Sequence, residues 1–159
     1  MNLNVRVVRN DLAKFQKSFP KIIREAVHDA GREFYEITRA NFGVSGIARP
    51  HAWPALSKRY IRRLKEKSLG TPLIPTLLRN GTLRASIRIG QVMGYTILIW
   101  TDCEYAATHQ WGDRDRNIPA RPYFPVFGGK GDSPARLTPY AESRIQRVIS
   151  MRFEKAAGG

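Results

Sequence analysis

The sequence predicts a single α+β domain over residues 1–159, in which a small antiparallel β-sheet packs with a long N-terminal helix and a C-terminal helix, with long loops. Three observations predict this architecture. Apolar residues recur every three or four positions from Leu12 to Ile37, β-branched and aromatic residues crowd positions 95–101, and Thr138-Pro139 opens a second helical pattern. A chain of 159 residues fits one domain and buries enough surface to fold without staples.

The N-terminal part of the sequence predicts a short strand followed by a long helix. Residues 3–7 alternate apolar and polar side chains, which is typical of a short half-buried strand. The long helical stripe that follows contains Pro20, so we expect either a kink there or a fresh helix start next to it. Asn41 and Gly43 predict the end of this helix.

The middle of the chain predicts a basic helix between two loops. Residues 43–54 and 68–75 are punctuated by glycine and proline, and we expect the first of them to be a flexible loop. Residues 57–67 return to helical spacing, with one apolar side and one basic side. The apolar side holds Leu56, Tyr60, Ile61 and Leu64, and the basic side holds Lys58, Arg59, Arg62, Arg63, Lys65 and Lys67.

The sheet is predicted from residues 77–101. A turn or short helix around Gly81 leads into a strand at 86–89, Gly94 marks a tight connection, and residues 95–101 form the strongest strand. This strand is apolar on both faces, which predicts either burial on both sides or a partner subunit on one. Further on we expect a short helix at 104–111, a flexible glycine-rich loop at 128–135, and a last helix capped by Thr138.

Composition narrows the class of protein. Twenty-seven Lys and Arg against 13 Asp and Glu give a net charge of +14, which favours acidic partners such as nucleic acid, an anionic membrane surface or an acidic protein face. No apolar run is long enough to span a membrane, and the N-terminus lacks the apolar region of a signal peptide, so we expect a cytoplasm-like compartment and no membrane partner. The single Cys103 is interpreted as a small buried hydrophobe.

Catalytic and cofactor sites are not predicted. The three histidines are far apart, and none has the spacing of a metal site. His109 is interpreted as a hydrogen-bonded packing residue. The glycine-rich stretch at 128–135 lacks the spacing of a phosphate-binding loop. Asp113 and Asp115 alternate with Arg114 and Arg116, which is typical of a solvated turn or of ion pairs between subunits.

Four short segments occur in a recognisable order. They are W-P-A-L-S at 53–57, L-R-N-G-T-L-R-A-S-I at 78–87, Y-A-A-T-H-Q-W-G at 105–112, and P-A-R-P-Y-F at 119–124. This set resembles the phage virion morphogenesis family, which includes tail completion proteins of P2-like and Mu-like phages. The resemblance covers residues 42–124. Asn80 stands where the family has Thr, and Tyr123-Phe124 replace Phe-Leu.

The resemblance implies a non-enzymatic structural protein of the virion, without cofactors, that acts in tail completion and head–tail joining at the neck. It implies a homo-oligomeric ring, of six copies to match tail symmetry, beside connector and tail-terminator or tail-tube proteins and near channel DNA. A basic nucleic-acid-binding module is the alternative, and the helix at 57–67 is its best candidate. For that helix, two other interpretations remain open, namely that its basic side faces solvent only or that it contacts another protein.

Large aromatic residues and arginines on proline-stiffened loops are typical of interface anchors, although a place in the core remains open for several of them, including Tyr105 and Phe124. The residues expected at a subunit or partner interface are Trp53, Arg59, Arg62, Arg63, His109, Trp111, Arg114, Arg116, Arg121 and Tyr123.

Overall fold

The computed structural model describes residues 9–43, 53–66, 77, 81–130 and 134–157. The strand predicted at 3–7, the loop at 68–75 and most of the loop at 43–54 lie outside these residues, as do positions 131–133 of the glycine-rich loop. The elements are α1 (Arg9–Gly43), α2 (Lys58–Glu66), α3 (Thr82–Ser86), β1 (Ile87–Met93), β2 (Thr96–Thr101), α4 (Ala106–Trp111), β3 (Val126–Phe127), β4 (Arg136–Leu137) and α5 (Pro139–Ala157). The predicted α+β class, with a long N-terminal helix, a C-terminal helix and a small antiparallel sheet, is confirmed.

Helix α1 is 35 residues long and runs through Pro20 without interruption, so the fresh start considered at this proline is not observed. One stripe of the helix is buried, and it includes Ile22, Ala26, Ile37 and Phe42. The stripe also carries two fully buried polar residues, Thr38 and Asn41. Thr38 satisfies its hydroxyl within the helix by donating to the carbonyl of Phe34 at 2.8 Å, whereas Asn41 finds its partner elsewhere in the fold.

Helix α5 packs antiparallel to α1, because Arg144 near its start reaches Glu33 and Arg152 near its end reaches Glu25 and Asp29. The Arg144 Nε–Glu33 Oε1 distance is 2.5 Å, and the Arg152 Nη1–Glu25 Oε2 distance is 3.1 Å. Ile37 and Ala141 form the buried apolar contact between the helices. Glu25, Asp29 and Glu33 of α1 therefore pair with α5 within the chain, while many cations of α1 remain at the surface.

The start of α5 matches its sequence prediction. The Thr138 Oγ1 accepts the backbone N–H of Ala141 at 3.3 Å, and Pro139 occupies the first helical position. The backbone N–H of Thr138 donates to the carbonyl of Pro125 at 2.9 Å, which fixes the helix to the chain segment before β3.

Strands β1 and β2 form an antiparallel hairpin with a register shift between Ile89 and Val92. Its inner face packs on α1 and the core, whereas Met93, Tyr95, Leu98 and Trp100 are exposed. Among the described residues, the hairpin therefore buries one face and leaves the other exposed. Strands β3 and β4 form a second, two-residue ribbon.

The main core lies where the C-terminal end of α1 meets the hairpin and the loops. Its buried members come from six different segments of the chain and are Phe42, Trp53, Leu83, Ile87, Ala106 and Tyr123. Leu83 lies on α3, which begins after Gly81, whose φ of 68° falls in the left-handed region that favours glycine. Cys103 is half-buried and packs against this cluster. No described helix is both long and apolar enough to cross a membrane.

Gly31 allows α1 and β2 to approach closely. A Cβ built at this position would lie 2.6 Å from the Cδ1 and 2.9 Å from the Cγ2 of Ile97. Glycine inside a helix is unfavourable by about 1 kcal/mol relative to alanine. The contact with Ile97 explains why a glycine occupies this helical position.

We expect Gly31→Ala to lower the free energy of unfolding by about 1–3 kcal/mol, because the clash outweighs the gain in helix propensity. Ile97→Ala removes the three contacting atoms, so the double variant should be less destabilised than the sum of the single variants. Urea denaturation measures these values. Gly43→Ala, with no atom within 4 Å of the built Cβ, is the control and should change stability by less than about 0.5 kcal/mol. A more stable Gly31→Ala variant would contradict this account.

Candidate functional site

Residues 119–125 form an extended segment that we call the clasp, and side chains satisfy many of its backbone groups. The Oε1 of Gln110 accepts the N–H groups of Tyr123 and Phe124 at 3.1 and 3.0 Å. The Nδ2 of Asn41 donates to the carbonyl of Tyr123 at 2.8 Å, and the Nε1 of Trp53 donates to the carbonyl of Pro122 at 3.0 Å. Buried backbone groups need such partners, and here no neighbouring strand supplies them.

Arg121 joins the clasp to the segment before α2. Its Nε donates to the carbonyl of Pro54 at 2.9 Å and its Nη2 to the carbonyl of Ala55 at 3.0 Å. Its backbone N–H donates to the carbonyl of His109 at 2.6 Å. Burial lowers the pKa of Arg121 below its ordinary value, and the two carbonyl oxygens compensate for part of the lost hydration of the guanidinium.

Tyr123 fills the centre of the main core. Its ring centroid lies 5.7 Å from that of Phe42 and 4.7 Å from that of Phe124. Burial raises the pKa of Tyr123, so its hydroxyl is protonated at neutral pH. Trp53, Arg121 and Tyr123 were expected at an interface, but all three are buried and contact their own chain. In the single chain their aromatic and cationic groups close the fold, and their place at an interface stays a prediction.

A groove of about 740 Å³ lies between the start of α2 and the turn that follows α4. Leu56 and Tyr60 line one wall, and Arg116 and Ile118 line the other. Tyr105, with His109, lines the space between the walls. Because Arg121 bridges the clasp to Pro54 and Ala55, hydrogen bonds hold the two walls at a fixed separation.

His109 is half-buried in this groove, and its ring lies edge-on to Tyr105 with the centroids 5.6 Å apart. Its Nδ1 is buried without a hydrogen-bond partner among the described residues. The side chain therefore packs against Tyr105 in the groove, and its Nδ1 forms no hydrogen bond with a described residue. Burial, and secondarily the charge of Arg121, lowers the pKa of His109 below its ordinary value of 6.5.

Hydrogen bonds between its own residues stabilise the turn after α4. The Asp113 Oδ1 accepts the backbone N–H of Arg116 at 2.9 Å, and its Oδ2 accepts Arg116 Nε at 2.7 Å. Arg116 also donates from Nη2 to Thr108 Oγ1 at 3.0 Å. Hydrogen bonds from Arg116, first from its backbone and then from its side chain, lower the pKa of Asp113. This is an exposed turn with an ion pair inside the chain, and Arg114 on it is exposed.

Helix α2 presents most of its basic side chains to solvent. Ser57 caps the helix by accepting the N–H of Tyr60 on its Oγ at 3.2 Å. Arg59, Arg62 and Arg63 are exposed and form no ion pair with any residue that the structure describes. Trp111 is also partly exposed, and its Nε1 donates to the carbonyl of Gly128 at 3.1 Å. Of the expected interface residues, these four and Arg114 lie at the surface, and Arg116 and His109 line the groove.

Sequence reasoning did not single out Asn41 and Gln110, the two amides that hold the clasp. A signal for Asn41 was present, because it lies one helical turn after the buried Ile37 and a polar residue on a buried stripe needs a partner. Among the described residues, no group of three or more His, Cys, Asp or Glu side chains could hold a metal ion.

The chain belongs to the phage virion morphogenesis family, whose pattern matches residues 3–153. The match covers nearly the whole chain and includes all four motif segments as well as α1 and most of α5. No curated protein and no solved structure matches the chain. The family gives the protein a structural or assembly role in a bacteriophage virion.

Gln110→Ala should lower the free energy of unfolding by about 2–4 kcal/mol, because two buried N–H groups of the clasp lose their acceptor. Denaturant unfolding followed by Trp fluorescence measures the change. Gln146→Ala, on the exposed side of α5, is the control and should stay within about 0.5 kcal/mol. Equal effects of the two substitutions would contradict the role given to Gln110.

Acidification should destabilise the protein through His109. Its pKa is lowered in the folded state, so below its ordinary value of 6.5 the unfolded chain binds a proton that the folded chain does not. Stability should therefore fall as pH falls from about 7.5 to about 5.5, and His109→Gln should reduce this slope. Thermal unfolding across that range, with the exposed His28→Gln as control, measures it. An unchanged slope in His109→Gln would contradict the assignment.

Proposed function

We propose that the protein is a tail-completion protein that forms a ring at the neck of the virion and joins the head connector to the tail. The observation that carries the proposal is the family match over residues 3–153. Within that family, the four motif segments resemble those of tail completion proteins. A ring of six copies, built from repeated head-to-tail contacts that close, would match the symmetry of the tail.

The outer face of the hairpin supports assembly into a homo-oligomer. Met93, Tyr95, Leu98 and Trp100 are 74%, 64%, 58% and 40% exposed, and together they form an apolar surface. Clustered exposed apolar residues of this kind mark interaction sites. Trp100 and Tyr95 are also the residue types that contribute most at protein interfaces.

Charge favours a second copy of this chain as the occupant of that face. Each copy carries +14, so copies repel one another wherever basic surfaces face each other. Apart from Tyr95, which lies on the turn, the outer face contains Gln91, Met93, Thr96, Leu98 and Trp100. Its one charged member among the described residues is Arg88, at the base of the hairpin. A contact between copies across this face avoids most of the like-charge repulsion.

Deletion of the gene in the phage that encodes the protein tests the proposed function. We expect heads and tails that are each complete but do not join, and electron microscopy of the lysate would show them separately. The wild-type gene should restore joined particles, and cryo-electron microscopy should then show the chain as a ring at the neck. Absence of the chain from mature virions, or infectious joined particles without the gene, would overturn the proposal.

The hairpin contact is tested in the same complementation assay. Leu98→Gln removes an exposed apolar side chain without adding charge, and we expect it to reduce the titre of infectious particles. Ser150→Gln, on the exposed side of α5, is the control and should complement as the wild type does. Full complementation by a Leu98→Gln/Trp100→Gln double variant would show that the hairpin face does not take part in the contact between copies.

A further inference from the structure

We infer that the groove between α2 and the Asp113–Ile118 turn is a docking site for an acidic segment of a neighbouring virion protein, anchored by an apolar side chain. The identity of the neighbour as a virion protein rests on the proposed function. The site itself rests on three features of the described residues, which are the fixed shape of the groove, its apolar lining and the cations at one rim.

The groove exists before any partner binds. Arg121 hydrogen-bonds to the carbonyls of Pro54 and Ala55, and the Asp113–Arg116 pair closes the turn that forms the opposite wall. Backbone hydrogen bonds between Asp113 and Ile118, at 2.8 and 2.7 Å, hold the same turn. A rigid wall loses little conformational entropy on binding, so more of the contact energy appears as affinity.

The interior of the groove fits apolar side chains. Leu56, Tyr60 and Ile118 contribute to its walls, and Tyr105 lies between them. A volume of about 740 Å³ is within the range of pockets that bury most of a ligand's surface. An apolar or aromatic anchor of a peptide suits such a lining.

Cations stand along one rim. Tyr60 lines the groove, and Arg63 follows it by three residues, so these two share one side of α2. Arg59 lies four residues before Arg63 and is its neighbour at the edge of that side. Arg62 and Lys58 each lie two residues from Tyr60 and therefore point to the opposite side. Arg59 and Arg63 form no ion pair with a described residue, whereas Arg116 on the other wall already pairs with Asp113. The unneutralised charge at this rim attracts carboxylates.

The distribution of charge favours an acidic peptide over nucleic acid. A phosphate backbone is bound by a row of cations along its path. In the groove, the guanidinium of Arg121 is occupied by two carbonyls, Arg116 is paired, and burial lowers the pKa of His109 so that it stays neutral at neutral pH. Among the described residues, the free cations of the groove lie at its rim and its interior is apolar. This combination matches a peptide segment in which Asp or Glu residues flank an apolar anchor.

The experiment is an array of overlapping short peptides that cover all virion proteins of the encoding phage, probed with the purified full-length chain at physiological salt. We expect the bound peptides to be rich in Asp and Glu around an apolar or aromatic residue. Their dissociation constants are then measured by fluorescence anisotropy for the wild type and two charge-matched double variants. A duplex and a single-stranded oligonucleotide are measured in parallel.

Arg59→Gln/Arg63→Gln should weaken peptide binding by about five- to tenfold, as expected for the loss of two exposed charge contacts. Lys58→Gln/Arg62→Gln carries the same net charge on the opposite side of the helix and should change binding by less than about threefold. Tyr60→Ala, checked for folding by circular dichroism, should weaken binding at least as much as the first pair.

Four results would overturn the inference. They are an array without bound peptides, bound peptides without acidic bias, equal losses in both double variants, and an oligonucleotide that binds more tightly than any peptide and loses affinity with Arg59→Gln/Arg63→Gln. A chain found at the neck with an unoccupied groove would leave the proposed function intact and defeat the groove alone. A chain that binds acidic peptides but is absent from virions would overturn the proposed function and leave peptide binding by the groove intact.

Discussion

The hydrogen bonds that Asn41, Trp53 and Gln110 make to the clasp are the interaction on which the rest of the structure depends. The clasp runs through the main core without a strand beside it, so its backbone would be buried unsatisfied without these three side chains. Each of them comes from a different part of the chain, namely the end of α1, the segment before α2, and α4. Closing the clasp therefore joins these parts around Tyr123, and Arg121 sets the position of the start of α2 relative to the turn after α4.

This arrangement changes the meaning of the motif segments. The W-P-A-L, Y-A-A-T-H-Q-W-G and P-A-R-P-Y-F segments were expected to carry interface residues, but several of their most distinctive side chains bind the backbone of another of these segments. Trp53 contacts Pro122, Gln110 contacts Tyr123 and Phe124, and Arg121 contacts Pro54 and Ala55. The segments that identify the family thus maintain the scaffold. Surfaces available to partners lie beside them, on the basic side of α2, in the groove, and on the outer face of the hairpin.

Local patterns in the sequence predicted the long helices and the hairpin, but they did not predict the contacts of the candidate site. Helical periodicity predicted α1 and α5, a cap at Thr138 predicted where α5 begins, and β-branched and aromatic content next to a glycine turn predicted the hairpin. Such signals act over a few residues. The clasp contacts of Asn41, Trp53 and Arg121 join residues 66 to 82 positions apart, and no local pattern specifies which distant backbone an asparagine or a tryptophan will bind. The same limit explains why Arg121 and Tyr123, polar or amphipathic by type, were expected at the surface.

Because Arg121 and its partners lie far apart in the sequence, the groove forms only when distant parts of the chain have come together. Contacts between distant residues raise the contact order and form late in folding, after much of the chain entropy has been lost. The two walls of the groove are brought together by Arg121, which binds residues 66 and 67 positions earlier in the chain. Without the hydrogen bonds from Arg121 to Pro54 and Ala55, the two walls of the groove lose the contacts that set its width. On the inference that the groove binds a neighbouring protein, this surface is complete only on chains in which these distant contacts have formed.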